Sequence, residues 1–175
     1  ISPEMQDQGA GTPVPAQTMA KRLLELDPTL DGITLSGGEP FDQAAALVEV
    51  LRVVRLQRPM WSVLAYSGYT LDEICGDMTG RAELLNMADI LIDGRYRREI
   101  APTRPLAGSG NQVIHYLTSR GIAMRAAIEA FPPEELNWGL GKDSLDMLIG
   151  VVQEFRRKSV CDAVETRQDG PQGRE

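Results

Sequence analysis

Two cysteines and one histidine among 175 residues leave little material for metal or thiol chemistry. Cys75 and Cys161 stand far apart, with no CxxC pair and no dense disulfide framework, so both read as buried or free thiols and not as ligands. His115 sits in an apolar run with no Asp, Glu or Cys spaced with it as a metal set, and reads as a packed, hydrogen-bonded side chain. Positive charge is also in short supply. The net charge of -7 argues against a nucleic-acid surface, which depends on clustered Lys and Arg to displace counterions. The two densest basic runs, Arg95 to Arg98 and Arg156 to Lys158, are short and read as solvated faces. No apolar run approaches the length that crosses a bilayer, and the first residues lack a charged-then-apolar signal pattern. A soluble, cytoplasmic protein without a membrane partner is expected.

What is present suits one globular domain: 42% of the residues are hydrophobic and 25% are charged. After a loose start rich in Gly, Pro and Gln, Met19, Leu23 and Leu26 recur at helical spacing over 16–26, and Asp27-Pro28 stops that helix. Gly32 to Ser36 reads as a short buried strand. Leu47, Val48, Leu51 and Val54 then mark one face of a helix that starts near Asp42, its expected N-cap, while Glu49 faces solvent. The alternation repeats. Trp61 to Tyr66 reads as a second strand, with Trp61 and Tyr66 as packing residues, and Thr70 caps a short helix through Ile74. Arg81 to Met87 continues helical, and Asp89 to Asp93 is a third strand closed by Gly94.

Val113 to Leu117 reads as a further strand and Ile122 to Ile128 as another; Pro132-Pro133-Glu134-Glu135 opens a short helix, and Asp143 to Arg157 has one apolar helical face. The polar residues from Asp162 onward read as a disordered tail. Apolar strands separated by amphipathic helices favour a parallel sheet covered by helices, so the fold class is α/β. Ligands in such sheets bind beyond the carboxyl ends of the strands. Ser36-Gly37-Gly38-Glu39, Ser67-Gly68 and Asp93-Gly94 all fall there.

Taken alone, Gly37-Gly38-Glu39-Pro40 is an ordinary strand-to-helix turn and Asp93 a turn cap. In company they say more. Leu35-Ser36-Gly37-Gly38-Glu39-Pro40 resembles the GGEP motif of radical S-adenosylmethionine enzymes, and Tyr66-Ser67-Gly68-Tyr69 resembles a segment of their smallest, activating-protein members, those of anaerobic ribonucleotide reductase. Ala88 to Gly94 looks like the Asp-x-Leu-x-Asp-Gly strand of that family, and Gly108-Ser109-Gly110-Asn111-Gln112 like its Gly-Ser-x-Asn-Gln segment. The matches occur in the family's order, over residues 1 to about 118.

The resemblance implies a partial (β/α) barrel of mostly parallel strands, here lacking its first strand and cluster loop. It implies S-adenosylmethionine and a [4Fe-4S] cluster as cofactors, the cluster on three cysteines of a CxxxCxxC loop. No such loop is in these residues. Ser2-Pro3-Glu4 is similar to the triplet that follows the third cluster cysteine, so the chain is expected to be a fragment that starts just after it, inactive as it stands. One domain is expected over 1–158, with 119–158 an extension the resemblance does not cover and 159–175 the tail.

By the same resemblance, Ser36, Gly37, Gly38 and Glu39 would hold the methionyl ammonium and Ser67 would lie near the methionyl carboxylate. Asp93 and Arg95 would reach the ribose or carboxylate, and Asn111 and Gln112 would contact the ligand or support the site. The implied reaction is reductive cleavage of S-adenosylmethionine to a 5'-deoxyadenosyl radical, which generates a glycyl radical on a partner enzyme; flavodoxin or ferredoxin would donate the electron. Two alternatives stand beside it: the same chemistry on another protein or peptide, and a cluster-free module that binds a nucleoside or a partner.

Overall fold

The computed structural model describes residues 12–77 and 79–130. The expected helices at 132–135 and 143–157, the tail, Cys161 and the Ser2-Pro3-Glu4 triplet lie outside the described residues. Four strands form one open sheet in the order β1 (Gly32–Leu35), β2 (Ser62–Tyr66), β3 (Ile90–Asp93), β4 (Val113–Tyr116). The first three are parallel and β4 is antiparallel to β3. The sheet is not closed into a barrel: among the described residues β1 and β4 are its two edges.

The helices are α1 (Ala16–Leu24), α2 (Ala44–Gln57), α3 (Leu71–Cys75), α4 (Arg81–Met87) and α5 (Ser119–Glu129). In α2, Ala44, Val48, Leu51 and Val54 recur at three- and four-residue spacing and are all buried, which lays one stripe of the helix on the core. Val63 and Ala65 of β2 point into the same core while the residues between them are half-buried, the period of a strand covered more fully on one face. β3 is buried along its whole length because it has a neighbour on each side and α4 leads into it. Thr70 and Glu73 form a reciprocal capping box at the start of α3, as the sequence suggested for Thr70.

Two expectations need correction. Ile122 to Ile128 is not a strand but part of α5, which Thr118 caps through a 3.2 Å bond from the Gly121 N–H to its Oγ1. Ile122 and Ile128, six residues apart, face different ways on that helix, one exposed and the other buried, so the apparent apolar run has no strand face to fill. Asp42 does not cap α2 either. A 3-10 turn over Pro40–Gln43 precedes the helix, and Glu39 caps that turn by accepting from the Phe41 N–H at 3.1 Å. Among the described residues no helix is long and apolar enough to cross a membrane.

A buried carboxylate fastens the amino end of the sheet. Asp89, immediately before β3, accepts from Arg55 Nη2 (2.9 Å) and the Val63 N–H (2.9 Å) at Oδ2, and from Thr118 Oγ1 (2.6 Å) at Oδ1. Arg120 Nη1 stands 3.6 Å from Oδ2. Burial raises the pKa of this carboxyl, but the hydrogen bonds from Thr118 and Val63 and the Arg55 charge together outweigh it and hold the value below the ordinary one. One side chain thus ties α2, β2, β3 and the start of α5 together.

Candidate functional site

Parallel pairing puts the ends of β1, β2 and β3 on one side of the sheet, and the antiparallel β4 begins there, since Val113 pairs with Asp93. All nine candidate residues, Ser36, Gly37, Gly38, Glu39, Ser67, Asp93, Arg95, Asn111 and Gln112, therefore lie on the four segments that leave or enter the sheet at this end. Hydrogen bonds stitch those segments in sequence. Glu39 reaches from the first to the second: Oε1 accepts from Ser67 Oγ at 2.9 Å and Oε2 from the Gly68 N–H at 2.7 Å. The second meets the third where Asp93 Oδ2 accepts from the Leu71 N–H at 2.6 Å and the Gly94 N–H donates to the Tyr69 carbonyl at 3.2 Å. The fourth closes on the third through Gln112 Nε2 to the Gly94 carbonyl (3.0 Å) and Asn111 Nδ2 to the Arg95 carbonyl (2.8 Å).

Most candidate side chains are thus already bonded within the protein. Ser67 is buried, donates its single proton to Glu39 and accepts from the Tyr69 N–H at 3.0 Å. Gln112 Oε1 takes the Gly108 and Ser109 N–H groups, at 2.8 and 3.2 Å, and Asn111 Oδ1 takes the Ser109 hydroxyl at 2.9 Å. Arg95 is exposed. The Gly37-Gly38 turn is different. Both glycines have positive φ, 86° and 56°, a region costly for residues with a Cβ. A Cβ placed on Gly37 would meet nothing within 4 Å, so the turn faces open space at that residue. Beside it Glu39 has used three of its roughly four acceptor positions, all on neutral donors, and among the described residues no cation is paired with its negative charge. A turn with exposed backbone next to an uncompensated carboxylate suits an ammonium group.

Residues 1–115 match the family described as the 4Fe-4S single cluster domain. The chain belongs to this 4Fe-4S single-cluster family. Among its relatives, the anaerobic ribonucleoside-triphosphate reductase-activating protein of Pasteurella multocida is 33% identical over 115 residues, which cover 62% of this chain and 72% of that protein. The proteins of the same name from Escherichia coli K12 and Enterobacteria phage T4 are 28% and 26% identical, over 49% and 47% of this chain and 56% and 51% of their own lengths. The chain thus spans only about half of those two relatives. No solved structure matches it.

The described residues of this family member do not fit the cluster in the family's description. Among the described residues no group of three His, Cys, Asp or Glu side chains is placed to hold a metal ion, and Cys75 is a lone, exposed thiol on α3.

Three features went unrecognised in the sequence. His115 Nε2 lies 3.1 Å from Asp93 Oδ2 without making a hydrogen bond, so the histidine expected to be packed and hydrogen-bonded stands instead in close contact with a candidate site residue. The pair arises because His115 stands opposite Leu91, two residues from Asp93. Tyr66, expected only to pack, also donates to the Leu106 carbonyl at 2.8 Å and pins that residue at a φ of 63°; burial pushes its phenol well above the ordinary value. Asp42 Oδ1 accepts from Tyr69 (2.8 Å) and from Arg81 (2.8 Å), whose guanidinium stacks 3.9 Å from the Tyr69 ring centre. The last trio flanks an open hollow of about 610 Å³ lined by Phe41, Asp42, Thr79 and Arg81 among others, and no candidate site residue lines it.

Proposed function

We propose that this chain is the S-adenosylmethionine-holding portion of an activating-type radical S-adenosylmethionine protein, whose target is a glycyl-radical enzyme such as an anaerobic ribonucleotide reductase. The observation that carries this reading is the Gly37-Gly38-Glu39 turn, open at Gly37 and bonded through Glu39 to the Ser67-Gly68 segment, at the end of the sheet where the two other family segments also lie. Family membership and the names of the relatives support it. In this reading the carbonyls of Gly37 and Gly38 receive the methionyl ammonium, and Glu39 adds its remaining acceptor position. Ser36 closes the turn, and Ser67 orients Glu39. Asp93 and Arg95 reach the ribose or carboxylate, and Asn111 and Gln112 hold the third and fourth segments together.

When bound, S-adenosylmethionine supplies the hard chemistry, reductive cleavage leading to hydrogen-atom abstraction from a partner glycine. The chain's own residues bind and orient it. No electron-transfer step is assigned to them, because none of the described residues is placed to hold the cluster. An electron donor such as flavodoxin or ferredoxin and a cytoplasmic setting go with this function. The open sheet is read as a portion of a (β/α) barrel, within a single domain over 1–158.

The test joins a CxxxCxxC segment to the chain, reconstitutes it anaerobically with iron and sulfide, and follows paramagnetic resonance and release of methionine. A cluster signal with cleavage of S-adenosylmethionine is the expected result. A cluster that never cleaves it overturns the reading, and failure of the extended chain to form any cluster favours the cluster-free module.

A further inference from the structure

The loop from Arg95 to Gly110, between β3 and β4, carries four arginines, Arg95, Arg97, Arg98 and Arg104, against one acid, Glu99, in a chain whose net charge is -7. All four arginines are exposed. Elsewhere on the molecule cations are mostly matched: Lys21 with Glu25, Arg52 with Glu83, Arg55 and Arg120 with Asp89, Arg81 with Asp42 and Asp77, Arg125 with Glu129. None of the four loop arginines enters an ion pair among the described residues, although Glu73 feels the charge of Arg95.

The loop is nevertheless built. The Arg97 N–H donates to the buried Ser109 hydroxyl at 3.1 Å, the Gly110 N–H to the Ile100 carbonyl at 3.2 Å, and Tyr66 holds the Leu106 carbonyl. Gln112 and Asn111 fix its two ends to each other at Gly94 and Arg95. Such bonding holds the backbone in place and leaves the guanidinium groups to solvent. Guanidinium in a fixed array is suited to carboxylates, which it can grip with two parallel bonds.

We propose that this arginine loop is the docking surface for an acidic segment of a partner protein that presents its substrate group to the strand-end site. The loop begins directly after Asp93-Gly94 and returns at Asn111, so it leaves the sheet at the same end as the Gly37-Gly38 turn, two strands away from it. A protein segment fits better than nucleic acid, because the cationic patch is a single loop on an otherwise acidic chain and a polyphosphate backbone would run off it onto like charge. The assignment of the partner as a substrate protein rests on the proposed function; the chemistry of the surface does not.

The probe is a fluorescein-labelled ten-residue poly-L-glutamate peptide, titrated with the full chain and read by anisotropy. In one variant Arg97, Arg98 and Arg104 are replaced by Ala; in a control of equal charge change Lys21, Arg22 and Arg125 are. The loop variant is expected to bind at least about tenfold more weakly and the control within about twofold of the parent. An equal loss in both, or none in the loop variant, overturns the proposal, as does a duplex DNA probe that binds more tightly than the peptide. The Arg-to-Lys version of the loop, which keeps the charge but not the paired bonds, guards against a folding defect and should bind more tightly than the Ala version and more weakly than the parent. If S-adenosylmethionine fails to bind while the peptide still requires the loop, the proposed function falls and the docking surface stands.

Discussion

The two ends of the sheet each fasten a carboxylate, and they treat it in opposite ways. At the amino end Asp89 is satisfied by Thr118, the Val63 N–H and Arg55, with Arg120 close by, so its charge is neutralised inside the fold. At the carboxyl end Glu39 is held by two backbone N–H groups and a serine hydroxyl, donors that fix its position without cancelling its charge. The first arrangement locks elements together; the second leaves a negative potential beside an open glycine turn. A buried ion pair is strongly felt when one partner is removed, whereas a carboxylate bonded to neutral donors keeps attraction for a further cation. The difference separates the region of the molecule that holds the fold from the region proposed to hold a ligand.

The largest expected effect breaks the amino end. Asp89→Asn should cost roughly 3 kcal/mol of stability near neutral pH, read by urea unfolding, because two arginines lose their buried counter-charge. The folded pKa of Asp89 lies below the ordinary value of 3.8, so its contribution is present above that value and is lost as pH falls through the lower, folded one. The gap between parent and variant should therefore narrow towards acid. A gap constant with pH would mean that the ionised form is not what Asp89 contributes.

Next comes the other end. Glu39→Gln should cost only about 1 kcal/mol in stability, the scale of one hydrogen bond disturbed at Gly68, yet lower affinity for S-adenosylmethionine by about tenfold or more. A stability loss as large as that of Asp89→Asn would erase the contrast between the two ends. The smallest effect is expected at Tyr69→Phe, which removes the hydroxyl shared by Asp42 and Arg81 but leaves the ring under the guanidinium, for roughly 0.5–1 kcal/mol in thermal unfolding.

Much of this division was legible in the chain, for local reasons. The strands are apolar runs that end at Ser36-Gly37, Ser67-Gly68 and Gly94, so their carboxyl ends follow from the alternation of apolar runs, turns and helices. What was not legible depends on distance. Asp89 reads as one more residue of a strand until folding brings Arg55 and Arg120 to it from two different helices. His115 meets Asp93 only because β4 runs antiparallel, and that direction is set by the path of the loop from Arg95 to Gln112. Asp42 looked like a helix cap because Asp is a good one; Glu39 does the capping instead, a few residues earlier, and Asp42 is left for Tyr69 and Arg81. Ile122 and Ile128 misled for a simpler reason, being two apolar residues that a strand and a helix accommodate equally well in a short window.

The most direct test is a calorimetric titration of S-adenosylmethionine into the parent chain and into Gly38→Val, with Asp89→Asn measured below its unfolding temperature as the control. Gly38 has a φ of 56°, so a β-branched side chain strains the turn and blocks approach to its backbone. Binding in the parent and in Asp89→Asn, with no detectable heat in a folded Gly38→Val, is the result expected if the carboxyl end holds the ligand. Equal heats in all three proteins, or none in the parent, would contradict it.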